Sequence, residues 1–151
     1  MSSSLSFRIG IAPNAHLEVA LDAQPEVAGK HDEAAWLAAT VKVSAGAFSD
    51  AYPATLDSAA FVLFRDGLRK LHETLSGSAA FCPIEPWLLI DIEGDGKGHI
   101  RAKCVARDDP GWGNALTFEL SLDQTELPDI IRGLNAICDV WNVAKPRARL
   151  P

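Results

Sequence analysis

The residues best able to do chemistry lie between Asp91 and Ile100, in the run DIEGDGKGHI. Asp91, Glu93, Asp95 and Gly96 imitate the opening of a calcium loop, where oxygen ligands recur at alternate positions before a glycine turn. The imitation fails further along. Gly98 stands where such a loop carries an aliphatic residue, and Ala102 where it needs a bidentate glutamate. The flanking patterns are those of strands, so the segment reads as a glycine-rich hairpin turn. The four histidines, His16, His31, His72 and His99, give no zinc spacing. Only His31-Asp32-Glu33 is a local cluster, and it lacks the i, i+4 placement that puts two imidazoles on one helix face. No metal site is expected.

Nucleophilic chemistry fares no better. Cys82, Cys104 and Cys138 sit in apolar stretches, where a thiolate is disfavoured, and no GxSxG turn exposes a serine. Asp108-Asp109 and Asp123 with Glu126 are acidic pairs suited to proton transfer. Both border turns or helix starts, where carboxylates commonly serve the backbone. The run GDGKGHI joins strand to strand rather than strand to helix, so it is not a phosphate loop. These readings imply no catalytic residue and no cofactor. What remains is surface. Trp112, in GWG, is the best-placed aromatic to anchor a protein partner. Asp108, Asp109 and Asp95, on acidic turns, join it as candidate partner-binding residues. Tyr52, in DAYP, is a further aromatic near a turn. Trp36 and Trp87 fall out of phase with Leu37 and Leu88, and either meet a partner or lie under a second layer.

The elements that must position these residues are legible from periodicity. Leu88-Ile90-Ile92, Ile100-Ala102-Cys104-Ala106 and Leu116-Phe118-Leu120-Leu122 alternate with polar residues, which predicts three strands with one dry face. Lys103 and Arg107 on the wet face are placed to pair with Glu119 or Asp91 across strands. Upstream, Phe7-Ile9-Ile11 and Leu17-Val19-Leu21 form a hairpin around Pro13-Asn14. A loop from Asp22 to Asp32 leads to a third strand, Trp36 to Phe48, and Ser49 to Thr55 reads as an irregular connection. Phe61, Phe64, Leu68, Leu71 and Leu75 make the stripe of a first helix, capped by Asp57 or Thr55 and ended at Gly77. Arg65, Asp66, Arg69, Lys70 and Glu73 form its solvated face. Ala79 to Ile84 is a short strand. A second helix, about Glu126 to Trp141, carries Leu127, Ile130 or Ile131, Leu134, and Ile137 or Cys138, with Thr125 as N-cap and Pro128 in the first turn.

The predicted fold is α+β, a mostly antiparallel sheet of about six or seven strands with two amphipathic helices. Its order is β-β-β-α-β-β-β-β-α, in a single domain frayed at about 1–4 and 144–151. With 151 residues the chain is long enough for a core without disulfides or metal. Its formal charge of −6 argues against binding nucleic acid through a basic surface and suits a cationic partner. An odd cysteine count without a CxxC pair predicts buried thiols in a reducing compartment. The start, MSSSLSFRIG, lacks a basic region and an apolar run, and no stretch has the length of a membrane span. A cytoplasmic location is expected.

Five segments in this order, AAWLAATVKVSAGAFS, FVLFRDGLRKLHETLSGSA, PIEPWLLIDI, GKGHIRAKCVARDD and NALTFELSLDQTELPDIIRGLNAI, resemble WapI-type bacterial immunity proteins and related bacterial proteins. The DQTEL run, Asp123 to Leu127, is the most specific piece. The resemblance covers roughly Ala34 to Ile137 and departs over Phe7 to Gly29. It implies a cytoplasmic protein that binds and blocks the toxic domain of a polymorphic toxin, without cofactor and without catalysis. A basic toxin domain would suit the acidic chain. The matched motifs are architectural, so the resemblance assigns no toxin-contacting residue. The competing readings are a small-molecule-binding or enzymatic domain with a pocket between sheet and helices, and a homo-oligomer built on a sheet edge.

Overall fold

A computed structural model describes residues 5–12, 15–22 and 36–140, apart from the side chains of 11 and 12. The Pro13-Asn14 turn, nearly all of the 22–32 loop with His31, Trp141 and the two ends expected to fray lie outside the described residues. Among the described residues, eight strands and two α-helices follow one another as β1 (Ser6–Ala12), β2 (Ala15–Leu21), β3 (Trp36–Ala45), β4 (Phe48–Asp57), α1 (Ser58–Thr74), β5 (Ser76–Phe81), β6 (Leu88–Asp95), β7 (His99–Arg107), β8 (Ala115–Asp123) and α2 (Leu127–Val140). All strand pairs are antiparallel. They form two four-stranded sheets, β1-β2-β3-β4 and β5-β6-β7-β8, rather than one sheet of six or seven. The predicted order of elements holds, with one strand added ahead of α1.

The added strand is β4, where the sequence suggested an irregular connection. Its inward residues Tyr52, Ala54 and Leu56 alternate with exposed Ala51, Pro53 and Thr55. Pro53 lies opposite Thr40 of β3. Because β4 is the last strand of its sheet, the missing proline N–H leaves no ladder bond unmade. The period-two reading succeeds elsewhere. Leu17, Val19, Leu37, Val41, Ile90, Ile92, Ala102, Cys104 and Leu120 all face one continuous core.

Helix α1 begins at Asp57, whose Oδ2 accepts from the Ala60 N–H at 3.3 Å. It ends at Leu75, not Gly77, with Leu75 in the left-handed region at φ 62°. That conformation is uncommon for a branched residue. Here it is held from both sides. The Leu75 N–H donates to Leu71 O and its carbonyl accepts from the Gly96 N–H, both at 2.7 Å. Arg65 is 9% exposed rather than solvated, and its Nε donates to Asp66 at 3.2 Å. Before α2, a short 3₁₀ turn spans Gln124–Glu126, and Asp123 rather than Thr125 opens it. Glu126 accepts from the Asp123 N–H at 2.9 Å and Thr125 donates to the Asp123 carboxylate at 2.8 Å.

Each helix lies along the first strand of the other sheet. Helix α1 packs on β5 and on α2, and α2 packs on β1. Glycines mark the approach. A Cβ on Gly67 would come within 2.9 Å of Ala79 Cβ, and one on Gly133 within 2.5 Å of Ser6 O. Between these layers Phe7, Phe61, Phe64 and Phe81 form edge-on and tilted ring pairs at 5.2 to 6.1 Å. Each such pair contributes about 0.5–1.5 kcal/mol beyond its buried area.

Candidate functional site

Sheet β5–β8 presents its candidate residues at two opposite ends. At one end, the β7–β8 turn is built by its own acids. Asp108 Oδ1 accepts from the Asn114 N–H at 2.8 Å, and Asp109 Oδ1 accepts from the N–H groups of Gly111 at 2.9 Å and Trp112 at 3.3 Å. The Asp108 N–H donates to Asn114 O at 3.2 Å and the Gly113 N–H to Asp109 O at 3.1 Å. This turn holds Trp112 in solvent with 95% of its surface exposed. Two of the predicted acids therefore position the predicted aromatic.

Asp95 stands at the other end, beyond the nine residues of β7, roughly 30 Å away along an extended chain. Its Oδ1 accepts from the N–H groups of Lys97 at 2.7 Å and His99 at 3.2 Å, and Oδ2 meets His99 Nδ1 at 3.3 Å. The Lys97 N–H, followed by the contacts with His99, holds the Asp95 carboxyl below its ordinary value. The structure thus brings Trp112, Asp108 and Asp109 together and leaves Asp95 apart. No group of three or more histidine, cysteine, aspartate or glutamate side chains is arranged to hold a metal among the described residues.

Beside the Trp112 turn lies the β3–β4 hairpin of the other sheet. Between them runs a cleft of about 410 Å³ lined by Phe48, Asp50, Asp108, Asn114 and Leu116, among others. Phe48 is 65% exposed, and Asp50 Oδ1 accepts from the Ala51 N–H at 2.8 Å. Phe48 and Asp50 escaped the sequence reading because β4 did; the parity of Tyr52, Ala54 and Leu56 was the available signal. Tyr52 itself is buried, contrary to its place among the turn aromatics. Its hydroxyl donates to Trp87 O at 2.7 Å, and the two rings stack at 6.4 Å. Burial pushes the Tyr52 phenol far above its ordinary value; the backbone at Arg107 opposes this, and the charges of Asp50 and Asp108 add to it. Trp87 is thus half covered by the other sheet, whereas Trp36 remains exposed.

The cysteines divide. Cys104 and Cys138 are buried, as expected, but Cys82 is exposed because β5 ends at Phe81 and Cys82 follows it out of the sheet. Burial pushes the Cys104 thiol up to about 12. On the wet face of β6–β8, Lys103 lies in register with Asp91 and Glu119, yet the ion pair that forms is Arg101 with Glu119 at 3.5 Å. Arg107 turns inward instead, with Nε buried.

The framework is α+β, with Trp112 exposed on a turn that Asp108 and Asp109 hold by hydrogen bonds. The chain belongs to the immunity protein WapI-like family, whose model matches residues 6–141. The match includes the first hairpin, Phe7 to Leu21, which the resemblance read from the sequence left out. No curated protein matches the chain. No helix among the described residues is long and apolar enough to cross a membrane.

Proposed function

We propose that this chain is a non-enzymatic immunity protein that neutralises a bacterial polymorphic toxin by binding its toxic domain and blocking access to it. Membership of the immunity protein WapI-like family carries the reading. The partner is a protein, with a basic toxin domain suited to a chain of formal charge −6. The action needs no cofactor, no nucleic acid and no membrane, and takes place in the cytoplasm. Trp112, held by Asp109 and flanked by Asp108, supplies the contact surface. An aromatic on a preformed turn loses little freedom on binding, which is what an anchor residue requires. Asp95, committed to its own turn, lies outside that surface.

The competing pocket reading finds no support in the packing. The space between sheets and helices holds Phe7, Phe61, Phe64 and Phe81, each at most 2% exposed. The test is co-expression with candidate toxin domains from the source organism. A toxin domain that kills alone and is tolerated with this chain, and that co-purifies with it in fixed proportion, supports the proposal. If no toxin domain of that genome is neutralised or captured, the proposal fails.

A further inference from the structure

We infer that the cleft between the β3–β4 hairpin and the β7–β8 turn receives an arginine side chain presented by an extended segment of the basic protein partner; this rests on the immunity reading. Three features of the cleft select that chemistry together. Asp50 and Asp108 line it from opposite sheets. Each carboxylate spends Oδ1 on a backbone N–H of its own turn and leaves Oδ2 without a hydrogen bond among the described residues. A carboxylate fixed by one oxygen and open at the other is already oriented for a guanidinium. The second feature is the apolar lining, Phe48 and Leu116, against which the stem and planar head of an arginine can lie. The third is the absence of a competing cation. No lysine or arginine is among the described residues that line the cleft.

Lysine fits this lining less well. Its compact, strongly hydrated ammonium gains less from an aromatic face and cannot bridge two carboxylates with a planar fork. A cleft of about 410 Å³ lies toward the small end of ligand pockets, about 300–1,000 Å³. It accommodates a side chain rather than a folded domain. Asp50 and Asp108 both act on one buried group: after burial itself, the charges of both add to the raising of the Tyr52 phenol.

The test uses the full chain and three eight-residue peptides of alternating glycine with arginine, lysine or citrulline, followed by amide chemical shifts. The arginine peptide is expected to move the signals of residues 48–50 and 108–116 and to bind roughly tenfold more tightly than the lysine peptide. Citrulline, which keeps the shape and loses the charge, is expected not to bind. D50N/D108N keeps Oδ1 as an acceptor in both turns, so the fold persists while arginine affinity falls roughly tenfold or more. F48A should weaken arginine more than lysine. Equal affinity for arginine and lysine, perturbation centred on the Asp95 end, indifference to D50N/D108N, or no binding would each overturn the inference. The two readings separate cleanly. A toxin domain captured equally by wild type and D50N/D108N would leave immunity standing and remove the cleft. Arginine binding in the cleft with no toxin neutralised would do the reverse.

Discussion

Asp57 does two jobs with two different oxygens. Oδ2 caps α1 at the Ala60 N–H and Oδ1 accepts from the Ile84 N–H at 2.7 Å, tying the helix start to the β5–β6 connection. The residue is only 3% exposed, and the Ala60 N–H that it caps is buried with it. D57A should cost about 2–3 kcal/mol in urea unfolding. D57N should recover little of it, because its amide nitrogen would face one of the two donors. A loss below about 0.5 kcal/mol for D57A would show that the cap is dispensable. The thiols give a pH prediction at the same scale. The Cys104 thiol rises from 9.0 to about 12 on burial, so the unfolded chain loses that proton first as pH increases. The contribution is fully present below pH 9 and declines between pH 9 and 12. C104A should flatten that alkaline decline. In the native protein at neutral pH, a thiol reagent should modify Cys82 alone, and Cys104 and Cys138 only on unfolding.

At the level of elements, the two helices invert an ordinary rule. Alanine in place of a helix-interior glycine usually stabilises by roughly 0.5–1 kcal/mol. G133A should instead destabilise by about 1–3 kcal/mol, because its Cβ would meet the carbonyl of Ser6 on β1. G67A should act in the same direction against Ala79 of β5. The exposed A136G on the same helix as Gly133 should show only the ordinary glycine cost, which thermal unfolding of the three variants compares directly. Such contacts explain what was and was not legible in the sequence. Periodicity reports which face is dry, so the inward residues of β1, β2, β3 and β6–β8 and the stripe of α1 were readable. It does not report what covers that face, so two sheets read as one. A proline in an alanine-rich run hid β4, since only the edge position makes Pro53 acceptable. Arg65 was placed in solvent because its polarity outweighed its position beside the Phe61–Phe64 stripe. At the candidate site Trp112 was visible as an aromatic between glycines. Phe48 and Asp50 were not, because their role arises from a hairpin of one sheet approaching a turn of the other.

At the scale of the molecule, the described residues run four strands and a helix, then four strands and a helix again. Each helix covers the leading strand of the opposite half, α1 on β5 and α2 on β1. Neither half therefore retains the cover its own sheet needs. The phenylalanine cluster is divided likewise, with Phe7, Phe61 and Phe64 from the first half and Phe81 from the second. Tyr52 adds a hydrogen bond from β4 to the segment ahead of β6. We expect the two halves to unfold as one, with tryptophan fluorescence and far-ultraviolet circular dichroism giving coincident transitions. Fragments 1–75 and 76–151 should each lack a cooperative transition alone and regain one when mixed, since the cut at the turn after α1 removes no core side chain. A fragment that melts cooperatively by itself would contradict the reciprocal cover. The same architecture bears on binding. The cleft takes Phe48 and Asp50 from the first half and Asp108 and Leu116 from the second. Ligand in the cleft binds only when both halves are in place, so it should raise the midpoint of the joint transition with the logarithm of its concentration over its Kd.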